Sequence, residues 1–324
     1  MITALQLAGG FVLLLFGAEF LVRGAVSVAR RLKVSPMVIG MTIVAYGTTS
    51  PELVVSLQAA IEELPGISIG NVVGSNIANI LLILGVSTVI FPIVVKPKEL
   101  YRDASVMLGS AVLFAALAWS GTIERWQGAL MVAALISFSI FALVSERRKG
   151  RARSTADELA EEFKEVPQPV WLAVLSIVGG LAAVIAGAKI LVAAAIVTAR
   201  LFGVGEEVIG LTIVAVGTSL PELATAIVAA YRRHSDVAIG NIMGANIYNL
   251  LAIMGLVSAV APVAVPSQIL TFDLWVMIAI TGLLLLFLLL GKGLNRAVGV
   301  LFLVLFTGYT TLQYYGVGQV LAGG

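Results

Sequence analysis

The sequence predicts an all-α integral membrane protein with ten transmembrane helices, arranged as two inverted five-helix repeats. Three observations lead to this fold class. The 324 residues are 60% hydrophobic and 12% charged, about half the share of charged residues usual in soluble domains. The basic residues concentrate in alternate loops, and the second half repeats the first at an offset of 170 residues.

The composition sets the number of spans and excludes several classes of protein. A membrane-spanning helix needs roughly 20 apolar residues, so about 194 hydrophobic residues leave room for about ten spans. The apolar runs are continuous rather than alternating, which argues against a transmembrane β-barrel. The composition also excludes a nucleic-acid binder and a disordered protein. The chain has no cysteine, which excludes thiol catalysis and disulfides, and its one histidine, His234, excludes a metal site with two imidazoles.

Charged residues, glycines and prolines divide the chain into ten apolar stretches. Met1–Arg30 is too long and too lightly charged at its start for a cleaved signal peptide, so it is predicted to be a retained first helix. The predicted helices are 2–30, 36–63, 68–91, 101–121, 126–146, 169–201, 206–232, 236–262, 267–290 and 294–315.

The positions of the basic residues predict the orientation in the membrane. Alternate loops contain 16 of the 20 Lys and Arg residues, whereas the opposite loops contain only Arg125 and Arg200. Because cytoplasmic loops are enriched in Lys and Arg, we expect both termini outside and the polar 146–168 segment in the cytoplasm. The expected location is the plasma (cell inner) membrane, with multiple passes.

The two halves are copies of each other. Of the sixteen residues 38–53, twelve are identical to those of 208–223, and a second matching block follows in each half. Five helices per half means that the second half enters the membrane from the opposite face, as in many secondary transporters. The predicted organisation is a first repeat 1–145 (motifs 38–57 and 69–85), a cytoplasmic linker 146–168, and a second repeat 169–324 (motifs 208–227 and 239–255).

The first block of each repeat places a carboxylate inside an apolar helix. The motifs are Gly-Thr-Thr-Ser-Pro-Glu, ending at Glu52, and Gly-Thr-Ser-Leu-Pro-Glu, ending at Glu222. Pro51 and Pro221 each lack a donor and disturb the preceding helical turn, which frees carbonyl oxygens there. Carboxylate, carbonyl and hydroxyl oxygens suit Ca²⁺ and Na⁺. Two carboxylates without a nearby Lys or Arg predict a cation site that holds one divalent ion or more than one monovalent ion.

The second block adds amide and hydroxyl oxygens. It reads Gly-Ser-Asn-x-x-Asn in the first repeat and Gly-Ala-Asn-x-x-Asn in the second. Its asparagines have two interpretations, as lining of the ion site or as interhelical hydrogen-bonding groups. For four of them packing is the favoured interpretation: Asn71, Asn76, Asn241 and Asn246.

The paired motifs resemble the α-repeats of the cation/Ca²⁺ exchanger superfamily, specifically its Na⁺/Ca²⁺ exchanger branch, over nearly the whole chain. The resemblance implies an antiporter, not an enzyme, that exchanges Ca²⁺ for Na⁺ by alternating access and needs no cofactor. It also implies that the helices 2–30 and 169–201 slide against the rest. The implied Ca²⁺ ligands are Glu52, Glu222 and the carbonyls of Thr48 and Thr218. The implied Na⁺ ligands include Ser75, Ser219, Thr49 and the carbonyls of Ala215 and Ala45, with Asn79 and Asn249 lining the middle.

Two positions depart from the family pattern. Ala245 stands where the family often has Ser, so a Na⁺ ligand is lost, and Asn249 stands where it often has Asp. Both changes leave H⁺/Ca²⁺ antiport, or export of another divalent cation, as an alternative. Against H⁺ coupling, the Gly-Asn pair typical of that branch is absent ahead of the glutamates. A passive cation channel is a remote alternative.

The expected partners are the lipid bilayer and inorganic cations, with no nucleic acid and no obligate protein partner. Outside the site, Glu19 and Lys189 occupy the same repeat position in the two long helices. An ion pair between them is one prediction, because intramembrane charges tend to pair. Separate extension of each side chain to its own membrane interface is the other.

Overall fold

The computed structural model describes residues 2–32, 36–93, 97–148, 169–201, 215–290 and 293–315, and these residues are almost entirely helical. The α-helices, numbered in chain order, are α1 Ile2–Leu32, α2 Pro36–Ile39, α3 Ala45–Thr48, α4 Ser50–Ile61, α5 Pro65–Ala78, α6 Gly85–Ile90, α7 Pro97–Ala118, α8 Arg125–Arg148, α9 Val170–Leu201, α10 Ala215–Thr218, α11 Leu220–Tyr231, α12 Ser235–Tyr248, α13 Met254–Val260, α14 Leu274–Leu289 and α15 Arg296–Tyr315. Four π-helical segments join some of them: Gly40–Val44, Asn79–Leu84, Asn249–Ile253 and Ile269–Asp273. Two short strands, β1 Thr122–Ile123 and β2 Val263–Ala264, pair antiparallel.

Within the described residues, eight helices are long and apolar enough to cross a membrane. The structure therefore agrees with an all-α membrane protein. The two other predicted spans, 36–63 and 206–232, contain the Pro-Glu motifs and are interrupted by them. Of the second of these, residues 206–214 lie outside the described part of the chain.

The interruptions fall where the prolines predict them. Thr49 has φ −81° and ψ 1°, so α3 ends before it and α4 begins after it, with Pro51 in the first turn of α4. Ser219 has φ −88° and ψ 5°, and Pro221 follows it in the same way in α11. Proline is tolerated in a first helical turn because the N–H groups there have no intrahelical partner. Each motif thus places its Thr and Ser residues at a break between two helices.

The repeat seen in the sequence recurs in the backbone. The helices α4 and α5 match α11 and α12 residue for residue at the offset of 170. The turns that join them match as well, since Glu63 has φ 59° and Arg233 has φ 60°. A residue other than glycine rarely adopts this left-handed conformation. Its occurrence at equivalent positions indicates that the two helix pairs share one turn geometry.

The two long helices, α1 and α9, pack against each other in antiparallel orientation. A Cβ atom added to Gly17 would lie 2.9 Å from the carbonyl oxygen of Gly180, and one added to Gly180 would lie 2.7 Å from that of Gly17. Gly10 and Gly187 approach each other in the same way further along. Small residues allow such close contact between membrane helices. The pair α1–α9 is therefore joined along a glycine stripe.

The main apolar core surrounds α5 and α12, which are the most deeply buried long helices. Ile69 and Val72 of α5 and Ile239 and Ile242 of α12 are fully buried in it. Side chains from α7 and α14 complete this core. The polar residues of the second sequence block lie on the same two helices or, for Asn79 and Asn249, at the start of the π-helical segments that directly follow them, so they are held at the centre of the molecule.

The predicted ion pair between Glu19 and Lys189 is wrong in this structure. The Glu19 carboxylate instead bonds Arg23 and Arg232, and Lys189 is exposed. The reason is the register of α1 on α9. Because Gly17 meets Gly180, Glu19 lies level with residue 178, and the eleven residues from there to Lys189 span about 16 Å of helix.

Three parts of the sequence-based predictions lie outside the described residues. They are most of the 146–168 linker, from residue 149 onward, the start of the second-repeat motif at 208–214, and the C-terminal residues 316–324.

Candidate cation site

The two motif glutamates occupy the same position in two equivalent helices. Glu52 lies in the first turn of α4 and Glu222 in the first turn of α11. Each is only 1% exposed. A helix N-terminus carries a partial positive charge that favours an anion in its first turn. The breaks at the motifs thus create two helix starts, and each start supports one buried carboxylate.

Several buried oxygen atoms around these glutamates accept no hydrogen bond. Among the described residues, both carboxylate oxygens of Glu222, Oε2 of Glu52 and Oγ of Ser219 have no hydrogen-bond partner. Nearly all buried polar atoms in proteins are hydrogen-bonded, and an unpaired buried charge is costly. Unpaired oxygens grouped in this way are what a site for a hard cation requires.

The two motifs lie against each other crosswise. The Glu52 carboxylate is within electrostatic reach of Glu222 and has the Ser219 hydroxyl beside it. The Glu222 carboxylate has the Thr48 hydroxyl beside it. Each glutamate therefore neighbours a hydroxyl of the opposite repeat. The structure brings together four of the residues that the sequence predicts, from two motifs offset by 170 residues.

The predicted ligands at the helix breaks have polar partners of their own. The Thr49 hydroxyl donates to the Ala45 carbonyl at 2.8 Å. The Thr48 hydroxyl donates to the Ala45 carbonyl at 3.3 Å and to Oδ1 of Asn241 at 3.4 Å. Ala215 begins α10 and Thr218 ends it, directly before the second break. These residues surround both interruptions, as expected for carbonyl and hydroxyl ligands.

Asparagines of the second block meet at the centre, between α5 and α12. Nδ2 of Asn79 donates to Oδ1 of Asn246 at 2.9 Å, and Nδ2 of Asn246 donates to the Asn76 carbonyl at 3.3 Å. In the described structure, Oδ1 of Asn79 and both amide atoms of Asn249 have no hydrogen-bond partner. Asn79 and Asn249 thus each have a buried side-chain oxygen without a partner in the described structure, which agrees with a lining role.

Ser75 and Ala245 hold equivalent positions on α5 and α12, and both are buried. Ser75 offers a hydroxyl oxygen, whereas Ala245 offers only a methyl group. The site is therefore not symmetric in its oxygen atoms, although its backbone follows the repeat.

Two further polar residues support the site without having been selected as ligands. Nδ2 of Asn71 donates to Oγ of Ser56 at 2.9 Å and to the Glu52 carbonyl at 3.3 Å, which ties α5 to α4 beside the glutamate. The packing interpretation of Asn71 is thus supported. Ser56 was missed, although its place four residues after Glu52, one turn along the helix, was a usable signal.

The sequence segments around the two glutamates contain no basic residue that could balance their negative charges. The two motif segments, 45–56 and 215–226, contain no Lys, Arg or His, and neither do 71–79 and 241–249. Long apolar helices around a buried, uncompensated pair of carboxylates, with broken helices at the site, define a membrane cation transporter.

Comparison with known proteins identifies the family. The family model described as "Sodium/calcium exchanger protein" matches residues 2–144 and 172–315. This chain belongs to the sodium/calcium exchanger family, within the cation/Ca²⁺ exchanger superfamily, and the predicted family is confirmed. It is accordingly a membrane antiporter for Ca²⁺ and a second cation.

Two curated relatives cover nearly the whole chain. A protein of Alkalimonas amylolytica named "Putative antiporter CaxA" is 37% identical over 94% of this chain and 96% of its own. A protein of Methanosarcina acetivorans named "Sodium/calcium exchanger MaX1" is 35% identical over 94% of this chain and 97% of its own.

A solved structure shares the fold. The sodium-calcium exchanger NCX_Mj, soaked with Na⁺ and Ca²⁺, superposes with a TM-score of 0.81 at 30% sequence identity. The match covers 95% of this chain and 97% of that one.

Proposed function

We propose that this protein exchanges Ca²⁺ for Na⁺ across the membrane by alternating access. The observation that carries the proposal is the pair of buried glutamates, Glu52 and Glu222: among the described residues, both carboxylate oxygens of Glu222 and Oε2 of Glu52 have no hydrogen-bond partner. Two buried negative charges require two positive charges. One Ca²⁺ satisfies this requirement, and so does a set of two or more Na⁺. The same site therefore favours either occupant over the empty state, which is the basis for exchange.

The ligand assignment follows the crosswise contacts. The Ca²⁺ ligands are Glu52, Glu222 and the carbonyls of Thr48 and Thr218, which lie at the two helix breaks. Carbonyl oxygens at such breaks are common ligands for cations in transporters. One Na⁺ site uses Ser75, Thr218, Ser219, Glu52 and the Ala215 carbonyl. The other uses Thr48, Thr49, Glu222 and the Ala45 carbonyl, with Asn79 and Asn249 between them.

The architecture that serves this function is two five-helix repeats of opposite orientation, 1–145 and 169–324, joined by the linker 146–168. The antiparallel packing of α1 on α9 and the recurrence of α4–α5 as α11–α12 support it. With ten crossings, both termini lie on the same face of the membrane. The basic residues of the linker assign that segment to the cytoplasm and both termini to the outside of the plasma membrane.

Proton coupling is the second candidate, and Ala245 favours it. Ala245 has a methyl group where its repeat equivalent, Ser75, has a hydroxyl. One of the two Na⁺ sites therefore has one oxygen ligand fewer than the other. A site with fewer oxygens binds Na⁺ less well, whereas a carboxylate still binds H⁺.

Sealed vesicles with the purified protein distinguish the candidates. Uptake of labelled Ca²⁺ is measured with outward gradients of Na⁺, H⁺ and K⁺ imposed one at a time, and with the membrane potential clamped. Na⁺/Ca²⁺ exchange predicts uptake with the Na⁺ gradient alone. Uptake that follows the pH gradient and ignores Na⁺ would reject the Na⁺ assignment.

A further inference from the structure

An ion pair connects the long helix α1 to the end of α11, the helix that carries Glu222. Nε of Arg232 donates to Oε2 of Glu19 at 3.0 Å, and Nη2 of Arg232 bonds the other carboxylate oxygen. Arg232 follows the last turn of α11. The side chains are half-buried, at 22% exposed for Glu19 and 36% for Arg232. This contact therefore joins the α1–α9 pair to the part of the molecule that holds the site.

The repeat contains the same pair with its charges exchanged. At the offset of 170, Glu19 corresponds to Lys189 and Arg232 corresponds to Glu62. In the described structure, Lys189 is exposed and has no ion-pair partner, while Glu62 accepts a hydrogen bond from Gln58 of its own helix at 2.8 Å. One of two equivalent ion pairs is thus formed, and the other is open.

The helix packing is also tighter around the ion pair that is formed than around the equivalent pair that is open. Val54 of α4 is 62% exposed, whereas its equivalent on α11, Ala224, is 1% exposed. Ala224 packs in a cluster with Leu14, Ala18 and Val22 of α1. The helix α1 therefore covers α11, while the equivalent face of α4 is uncovered.

We propose that Glu19–Arg232 and Lys189–Glu62 are two alternative latches that position the α1–α9 pair and set the ratio of the two access states. This inference rests on the proposed alternating-access exchanger. In an inverted repeat, the opposite access state arises when the two halves exchange conformations. Each contact then moves to its equivalent 170 residues away. In that state α9 covers α4, Lys189 bonds Glu62, and the pair between Glu19 and Arg232 opens.

The glycine stripe explains how one pair can open as the other closes. Gly10, Gly17, Gly180 and Gly187 join α1 and α9 through backbone contact, so the two helices move together. As α1 leaves α11, α9 approaches α4. Because the basic residues predict that Arg232 lies in a cytoplasmic loop, the Glu19–Arg232 latch is proposed to hold the state that is closed toward the cytoplasm.

The test is the distance between spin labels in two equivalent pairs of exposed positions. The chain has no native cysteine, so cysteines can be introduced at Phe20 with Tyr231 and, separately, at Ile190 with Ile61. All four side chains are at least 40% exposed. Arg232→Gln should lengthen the 20–231 distance and shorten the 190–61 distance in part of the population. A half-buried ion pair predicts a shift of about fivefold in the population ratio.

Lys189→Gln should shift the populations in the opposite direction, because it weakens the latch of the other state. The matched control is Arg23→Gln, which removes the second partner of Glu19, a bond that lies within α1 and does not join two helices. It should leave both distances unchanged. Glu19→Gln should reproduce Arg232→Gln, and the charge exchange Glu19→Lys with Arg232→Glu should restore the original ratio.

Shifts of the same sign for Arg232→Gln and Lys189→Gln, no shift at all, or an equal shift for Arg23→Gln would overturn the proposal. A purely structural role would broaden the distances without moving them in opposite directions. Because the readout does not depend on the transported ion, opposite shifts without Na⁺-driven Ca²⁺ uptake would keep the latches and reject the ion assignment. Na⁺-driven Ca²⁺ uptake without such shifts would reject the latches and keep the ion assignment.

Discussion

Asn79 and Asn246 join the two halves of the molecule at its centre, where Nδ2 of Asn79 donates to Oδ1 of Asn246 at 2.9 Å. Asn246 is the repeat equivalent of Asn76, to whose carbonyl it donates in turn. The side-chain amide of Asn246 is thus paired through both its oxygen and its nitrogen. Asn249 lies four residues after Ala245. Both of its side-chain amide atoms are unpaired among the described residues. Asn246 is therefore engaged in packing between the helices, whereas the amide of Asn249 is open, as our proposed ion-lining role for it requires.

The contrast predicts opposite results for two similar substitutions. Asn246→Leu removes the acceptor of Asn79 and should destabilise the protein by about 1–3 kcal/mol, because a buried donor is left unpaired. Asn249→Leu removes no hydrogen bond within the protein and should leave stability unchanged or raised, but it should reduce Ca²⁺ uptake. Thermal unfolding of the purified variants and vesicle uptake measure both effects. Equal destabilisation by the two substitutions would contradict the distinction.

The two glutamates should be indispensable individually. Glu52→Gln and Glu222→Gln each remove one of two charges that balance Ca²⁺. The loss of uptake should exceed the roughly 10–100-fold typical of losing an outer-shell partner of a metal. Glu124→Gln is the control, because Glu124 is exposed and follows β1, outside both motif segments of the sequence. Labelled Ca²⁺ uptake at several Ca²⁺ concentrations is the measurement, and normal uptake by either motif variant would rule out the site.

The asymmetry of the oxygen ligands predicts a gain of function. Ala245→Ser introduces a hydroxyl at the position equivalent to Ser75 and should lower the Na⁺ concentration that half-inhibits Ca²⁺ binding, because one more oxygen faces Na⁺. Ser75→Ala is the matched change in the other repeat and should raise that concentration. Equilibrium binding of labelled Ca²⁺ under a Na⁺ titration measures both. The assignment fails if Ala245→Ser leaves the Na⁺ dependence unchanged and Ser75→Ala does as well.

The glycine stripe between α1 and α9 predicts a sharp difference between neighbours. A Cβ atom at position 180 would lie 2.6 Å from the backbone nitrogen of Leu21, whereas one at position 179 meets no atom within 4 Å. Gly180→Ala should therefore destabilise the protein by about 1–3 kcal/mol, as overpacking does, and should slow transport. Gly179→Ala should do neither. Thermal unfolding and uptake rates check this, and equal effects of both changes would contradict the helix contact.

Much of the fold can be predicted from the sequence because membrane-spanning helices are recognisable from the local composition of the chain. The breaks at Thr49 and Ser219 follow from Pro51 and Pro221, and the equivalence of α4–α5 with α11–α12 follows from the offset of 170. The two glutamates are predictable as site residues because a carboxylate inside an apolar helix is costly and usually serves a function.

The contacts between helices could not be predicted in the same way. The expected pairing of Glu19 with Lys189 assumed that equivalent positions of α1 and α9 face each other. The register of Gly17 on Gly180 is instead a property of packing, and it brings Glu19 to Arg232 of a different helix. The contact of Asn71 with Ser56 also depends on the angle between α4 and α5, which no single segment encodes.

Obligatory exchange at the site of Glu52 and Glu222 is tested by measuring Na⁺ efflux and Ca²⁺ uptake simultaneously in the same sealed vesicles, at equal pH on both sides. Na⁺ should leave only when Ca²⁺ is present outside, and Glu222→Gln should abolish both fluxes together. Na⁺ efflux that persists without external Ca²⁺, or Ca²⁺ uptake without Na⁺ efflux, would contradict obligatory exchange.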